Sequence, residues 1–135
     1  MKVELCCCEQ IRSKKMKLTQ QDFELFQYEC EKWLKRLGLQ SWKVYFGFAD
    51  TGDSLATCAT NYKGRNSTIS LNKNQKFDKE IIWDKEKNIK ANALHECLEL
   101  LLSPLRALAS DRGWDETEYE KEHHSIIRTL ENLLE

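Results

Sequence analysis

One apolar helix pattern carries three ionisable side chains and constrains the fold more than any other segment. Residues 93–102 read Ala-Leu-His-Glu-Cys-Leu-Glu-Leu-Leu-Leu, with apolar positions spaced as in the buried stripe of a helix. His95 and Glu99 are four residues apart and therefore share one face of that helix. Glu96 follows His95 directly and is offset by about 100° around the helix axis. We predict a core helix that carries a His-Glu-x-x-Glu set beside its apolar stripe.

This set differs by one residue from His-Glu-x-x-His, the helical signature of zinc peptidases. In that signature the first and last residues bind the metal, and the Glu acts as a base on the metal-bound water. Glu99 stands here in place of the second His. The pattern predicts metal ligands at His95 and Glu99 and a catalytic base at Glu96, unless the three residues form only a solvated helix face.

Length and charge define the class of protein in which this helix folds. The 135 residues are enough for one domain with a real core, and 41% are hydrophobic, which is a globular composition. The 21 Lys and Arg residues nearly balance the 22 Asp and Glu residues. The charge therefore gives no reason to expect nucleic acid or an anionic membrane as a partner, and it leaves the oligomeric state open.

The cysteines and the start of the chain favour a cytosolic protein. Three cysteines are adjacent and three are scattered singly: Cys6, Cys7 and Cys8, then Cys30, Cys58 and Cys97. This spacing does not form a disulfide framework. No apolar run approaches the ~18 residues of a membrane-spanning helix, and Glu4 interrupts the apolar stretch that a signal peptide needs. We expect reduced thiols, no membrane partner and a cytoplasmic location.

The other patterns predict a small α+β domain at residues 17–135 that follows an N-terminal tail at residues 1–16. The sequence from Thr19 to Asp22 resembles a capping box that opens a helix, and Gly38 closes that helix. Residues 42–48, 55–62 and 68–71 have the composition of three strands. The short turns between them favour an antiparallel meander.

Two further helices complete the predicted domain after an apolar island at residues 81–83. The first covers residues 87–110 and contains Pro104, which should kink it or split off its last turns. Residues 111–114 form a break, and Asp115 to Glu118 cap the final helix. Its predicted inner face comprises Ile126, Ile127, Leu130, Leu133 and Leu134.

The final helix offers a third metal ligand. Helices joined by a short turn pack antiparallel, so residues equally far from the turn face each other. Glu99 lies about twelve positions before the centre of that turn, and the two neighbouring histidines, His123 and His124, lie about twelve positions after it. His123 shares its spacing with the apolar residues of the inner face, so we predict that it completes the site. His124 lies nearer the edge and is the alternative ligand.

Residues 18–135, which include these two helices, resemble the small zincin-like metallopeptidases. These include the SprT-like enzymes and the short type found in bacteriophages and prophages. The resemblance rests on Leu94-His95-Glu96, on the strand segments at residues 55–58 and 69–72, and on the closing segment at residues 122–132. It implies a zincin-like fold of one leading helix, a three-stranded mainly antiparallel sheet, the His-Glu helix and a C-terminal helix.

The resemblance also implies a function. Zinc would be bound by His95, by Glu99 where the family usually has His, and by His123 where the family usually has Glu. Glu96 would be the base in the hydrolysis of peptide or protein substrates, in the host cytoplasm if the gene is of phage origin. Because carboxylate replaces imidazole at Glu99, the identity of the metal stays open.

The sequence leaves two alternative functions open. The main alternative function is a catalytically inactive module of zincin-like fold that binds a metal or a partner. A further possibility is nucleic-acid binding through the basic cluster at residues 12–17. If the chain is a peptidase, the strand at residues 68–71 is expected to pair with an extended peptide substrate.

Overall fold

The order of elements confirms an α+β domain. The computed structural model describes residues 13–78, 84–110 and 115–134. In chain order its elements are β1 (Ser13–Lys17), α1 (Gln20–Arg36), β2 (Lys43–Ala49), β3 (Ala56–Asn61), β4 (Asn66–Asn72), β5 (Asn74–Asp78), α2 (Lys85–Ser110) and α3 (Glu116–Leu134). The predictions for Cys6–Cys8, for the apolar island at 81–83 and for the break at 111–114 fall outside the described residues, as does the side chain of Leu134.

The predicted capping box opens α1. The Thr19 backbone N–H donates to Asp22 Oδ2 at 2.8 Å, and the Asp22 backbone N–H donates to Thr19 Oγ1 at 3.2 Å. Two of the helix's otherwise unpaired N-terminal donors are thereby satisfied. The helix ends at Arg36, and Gly38 then takes a φ of 71°, a left-handed conformation that favours glycine. The predicted start and end of this helix are confirmed.

The three predicted strands form a mixed sheet, not an antiparallel meander. Its strand order is β2-β4-β3, with β2 parallel and β3 antiparallel to β4. The prediction is wrong at the first connection, where the loop at residues 50–55 carries the chain past β4. The Asn72 side chain holds this loop, because its Nδ2 donates to the carbonyls of Gly52 at 3.0 Å and Ser54 at 2.8 Å.

A second, two-stranded sheet joins the start of the described chain to the segment after β4. Strand β1, which overlaps the predicted tail at residues 13–16, pairs antiparallel with β5. The Leu18 backbone N–H donates to the Lys73 carbonyl at 2.8 Å, and the Lys73 N–H donates to the Ala49 carbonyl at 3.0 Å. These bonds attach the small sheet to the end of β2.

Helix α2 runs without interruption through Pro104, so the predicted split is wrong. A proline lacks the N–H that would bond to the carbonyl four residues earlier, which here belongs to Leu100. The Ser103 hydroxyl donates to that carbonyl at 2.7 Å. The carbonyl therefore keeps a hydrogen-bond partner, and the buried helix continues.

The core forms where α2 packs against α1, β3 and α3. Its largest fully buried apolar side chains are Phe26, Ile69, Leu71, Ile89 and Leu100. Among the described residues, no helix is both long enough and apolar enough to cross a membrane.

Helix α3 begins after Asp115, whose carboxylate accepts from the Thr117 backbone N–H at 2.9 Å, so the predicted cap is confirmed. Its inner face differs from the prediction. Ile126 is buried and Leu133 half-buried, whereas Ile127 and Leu130 are exposed. The inward positions are spaced by three and four residues and comprise Tyr119, Glu122, Ile126, Thr129 and Leu133.

Candidate metal centre

His95 and Glu99 lie together on the solvent side of α2. The two residues are one helical turn apart, and His95 Nε2 lies 3.5 Å from Glu99 Oε1. Their side chains are 70% and 45% exposed, so both heads are open to solvent. The opposite side of the same turn is anchored by Ala93, Cys97 and Leu100 in the core. The sequence prediction that His95 and Glu99 share one face is confirmed.

Glu99 also faces a second basic side chain. Arg106 Nη1 lies 3.9 Å from Glu99 Oε2. The two oxygens of Glu99 are thus directed at different groups, His95 on one side and Arg106 on the other. Exposed ion pairs of this kind contribute little to stability, typically about 0–1 kcal/mol each. The arrangement therefore holds Glu99 in place without being a major part of the folding energy.

Glu96 occupies a different environment from its two neighbours. It is only 6% exposed, and it lines a cavity of about 470 Å³ together with His95 and the β2–β3 loop. The residues that line this cavity, called the α2 groove below, are Ser54, Leu55, Ala56, Ala91, Asn92, His95 and Glu96. Burial raises the pKa of Glu96, the nearby His95 lowers it, and the Glu99 charge raises it further. A raised pKa makes the carboxylate a stronger base, and the open groove gives water access to it.

Cys58 is a neighbour of this site to which the sequence had assigned no role. It is half-buried on β3, and its Sγ lies 3.4 Å from Ser67 Oγ. Its pKa is raised, first by burial and then by the charges of Glu96 and Glu99, against the lowering effect of the Ser67 hydrogen bond. Cys58 belongs to the strand that packs against α2, the helix that carries both glutamates. The only signal in the sequence was its inward position in the β3 pattern.

The strand beside the α2 groove is β3, whereas the sequence predicted that the segment at residues 68–71, in β4, would bind a peptide. Strand β4, which contains the predicted segment 68–71, is central in the sheet and pairs on both sides. Strand β3 is an edge strand that pairs only with β4 within the described part of the chain. It begins at Ala56, which lines the α2 groove. Because β4 has no free edge to which an extended peptide could add, the expectation for β4 is wrong.

The structure does not bring His123 to the other two predicted ligands. His123 is exposed, and its ring stacks on Tyr119 with centroids 5.9 Å apart. His124 is also exposed, and its Nδ1 lies 2.8 Å from the Glu120 carbonyl oxygen. The prediction that His123 faces inward is wrong, because the packing of Ile126 rotates the helix by one position.

Glu122 takes the inward position instead. It is half-buried, and together with Glu118 it raises the pKa of Tyr62, after the larger effect of burial. Glu118, one helical turn before Glu122, lines a cavity together with Tyr62, so this part of α3 lies toward the end of β3. Within residues 13–78, 84–110 and 115–134, no group of three His, Cys, Asp or Glu side chains is arranged to hold a metal ion.

In comparisons with known proteins, no family model, no curated protein and no solved structure matches the chain. The resemblance to zincin-like metallopeptidases therefore stays a prediction from the sequence.

Proposed function

We propose that this protein is a metal-dependent peptidase in which His95 and Glu99 bind the metal and Glu96 acts as the general base. Zinc is the first candidate, because one imidazole and one carboxylate are ligands it commonly takes. The proposal covers peptide-bond hydrolysis and leaves the sequence preference to be determined.

The observation that carries the proposal is the 3.5 Å separation between His95 Nε2 and Glu99 Oε1. Ligands at about 2.0–2.2 Å from a tetrahedral zinc are separated from each other by about 3.3–3.6 Å. The two atoms thus have the spacing of a ligand pair. Both are exposed, so a metal ion would reach them without opening the core.

The donor set fits zinc in part. A catalytic zinc site has three protein ligands and one open position, and α2 supplies two. His123, with His124 as the alternative, remains our proposal for the third ligand, and either would have to leave the solvent-exposed position that it has here.

The chain's own residues have distinct tasks in this proposal. A bound zinc supplies the Lewis acidity that makes water a nucleophile near neutral pH. Glu96 accepts a proton from water in the α2 groove, and its raised pKa brings it closer to the optimum for this transfer. The free edge of β3 binds the peptide backbone in an extended conformation. Because these contacts are made with the backbone, many sequences are acceptable.

One observation favours the alternative of a catalytically inactive module. Glu99 already has two basic partners, His95 and Arg106. In a module without a metal, the three side chains would form a surface ion-pair cluster, and the groove would bind a peptide without cleaving it.

Digestion of a peptide library, with cleavage products read by mass spectrometry, tests the proposal. The zinc-loaded wild type is compared with Glu96→Gln and with Glu24→Gln, a matched change at an exposed position of α1. Loss of a general base lowers the rate by roughly 10²–10⁴-fold, so Glu96→Gln should be inactive while Glu24→Gln cleaves like wild type. If wild type and Glu96→Gln give the same products at the same rate, the peptidase proposal is wrong.

A further inference from the structure

A cluster of lysines lies on the small β1–β5 sheet, next to the β2–β3 loop. Lys15, Lys17 and Lys76 line one cavity of about 520 Å³, whose other lining residues are Met16, Asp50, Gly52 and Asn74. Below it is called the lysine cavity. Lys15 lies directly opposite Lys76 in the antiparallel register. Like charges in such positions repel each other and cost stability.

Only part of this positive charge is balanced by the protein. Lys76 Nζ lies 3.3 Å from Asp53 Oδ1. Neither Lys15 nor Lys17 has an ion pair with any residue in the described ranges, and both are exposed. Lys15 and Lys17 thus bring two positive charges to one cavity, and neither is paired with a carboxylate of the described residues, so the cavity is suited to bind an anion.

The acidic residue within the lysine cavity is already engaged. Asp50 Oδ1 accepts from the Gly52 backbone N–H at 2.9 Å, and Asp50 Oδ2 accepts from Asn74 Nδ2 at 3.1 Å. These two hydrogen bonds are the largest influences on Asp50 and, with smaller contributions from the charges of Lys76 and Lys73, keep its pKa below the ordinary value against the opposing effect of burial. The lowered pKa favours the ionised form of Asp50, and its two oxygens are occupied by the loop and by the start of β5.

The lysine cavity and the α2 groove share the β2–β3 loop. Gly52 lines the first and Ser54 lines the second, and both carbonyls accept from the same Asn72 side chain. Two residues of chain span at most about 7 Å. The two cavities therefore border the same short loop, and an extended peptide that follows this loop out of the α2 groove, rising ~3.3 Å per residue, would pass the lysine cavity.

We propose that the lysine cavity is a substrate subsite that selects peptides with acidic side chains a few residues from the bond in the α2 groove. The proposal rests on the proposed peptidase function and names its class of substrate. The partner is an acidic peptide rather than a nucleic acid for two reasons. Lys15 and Lys17 can neutralise one or two carboxylates, whereas nucleic-acid affinity depends on cations that neutralise many phosphates along the backbone, and the chain has a net charge of −1.

Binding measured by fluorescence anisotropy tests the subsite separately from catalysis. The protein is the Glu96→Gln variant, so the probe is not cleaved. The probes are a fluorescein-labelled peptide with consecutive glutamates, the same peptide with glutamine at those positions, and oligothymidylate of equal length. Two exposed ion pairs should favour the glutamate peptide by about three- to tenfold at low salt, with the difference disappearing at high salt.

Variants locate the effect. Added Lys15→Ala and Lys17→Ala substitutions should remove the preference for glutamate, and Lys15→Arg with Lys17→Arg should keep it. Lys35→Ala with Lys63→Ala removes the same charge from exposed positions elsewhere and should leave the preference unchanged. Equal binding of the glutamate and glutamine peptides overturns the proposal. Tighter binding of oligothymidylate that depends on Lys15 and Lys17 also overturns it and makes the cavity a nucleic-acid site.

The two proposals fail in different ways. Selective binding of the glutamate peptide without hydrolysis by the zinc-loaded wild type would refute the peptidase and keep the lysine cavity as a peptide-binding site. Hydrolysis of neutral peptides at the same rate as acidic ones would refute the subsite and keep the peptidase.

Discussion

Asp22 at the start of α1 and Glu96 in the middle of α2 are buried carboxylates with opposite pKa shifts. Their exposures are 7% and 6%. Burial is the largest single influence on Asp22 and would raise its pKa, but hydrogen bonds from the Thr19 backbone, the Lys85 side chain and the Thr19 side chain outweigh it, so the pKa is lowered. Burial also raises the pKa of Glu96, where only the nearby His95 opposes it.

The difference between the two carboxylates is the one expected between a structural carboxylate and a carboxylate that acts as the proposed base. Asp22 accepts from the Thr19 N–H at 2.8 Å and lies 3.3 Å from Lys85 Nζ, so its charge is compensated by residues that hold α1 and α2 together. Glu96 lines an open groove, and the free energy that burial costs its charged form is not offset by its surroundings. A cost of this kind is typical of groups that act on a ligand.

The largest effect on stability is expected at Asp22. Asp22→Ala removes the carboxylate half of the capping box and the contact with Lys85, and it should lower the free energy of unfolding by about 1–2 kcal/mol. Urea denaturation measures this value. Glu24→Ala removes a charge from an exposed position two residues further along α1 and should change stability by less than about 0.5 kcal/mol. Equal effects of the two changes would show that Asp22 is not a structural carboxylate.

The stabilisation by Asp22 should depend on pH in a defined direction. A carboxyl whose pKa is lowered by folding stabilises the protein above its unfolded pKa, about 3.9, and loses this contribution as the pH falls through the folded value. The stability difference between wild type and Asp22→Asn should therefore be constant near neutral pH and shrink below about pH 4. Urea denaturation across this range measures it, and a difference that grows toward acid pH would contradict the account.

Glu96→Gln is expected to have a smaller effect of the opposite sign. The raised pKa means that the ionised form is disfavoured in the folded state, so wild type loses stability as the pH rises from the unfolded pKa through the folded one. The glutamine variant lacks this loss, so at neutral pH it should be as stable as wild type or slightly more stable. The gain should vanish below the ordinary pKa of Glu, about 4.3. A clear destabilisation at neutral pH would assign Glu96 a structural role like that of Asp22.

The smallest effect on stability is expected at His95. Its contact with Glu99 is exposed, so His95→Ala in the metal-free protein should change the free energy of unfolding by less than about 0.5 kcal/mol. Urea denaturation with a chelator present checks this value. A larger loss would make the His95–Glu99 pair a structural ion pair.

Helix boundaries were predictable because neighbouring residues determine them. Thr19 and Asp22 satisfy each other's backbone donors at the start of α1, and Asp115 does the same for Thr117 in α3. The common face of His95 and Glu99 follows directly from the period of the helix.

Strand order and helix rotation were not predictable, because distant contacts decide them. A short polar loop at residues 50–55 fits a hairpin as well as a crossover, and the hydrogen bonds from Asn72 select the crossover. In α3, Glu122 is four residues before Ile126, and His123 is four before Ile127, so spacing alone allows two rotations. Burial of Ile126 selects the one that turns Glu122 inward and exposes His123.

Zinc titration by calorimetry tests the central claim that His95 and Glu99 are a ligand pair. The wild type should bind one zinc ion per chain, and His95→Ala and Glu99→Ala should each abolish this binding. Arg106→Ala should bind zinc more tightly than wild type, because the competing partner of Glu99 is removed. His123→Ala and His124→Ala show whether either residue supplies the third ligand. If wild type binds no zinc, or if His95→Ala binds it as tightly as wild type does, the metal centre proposed here does not exist.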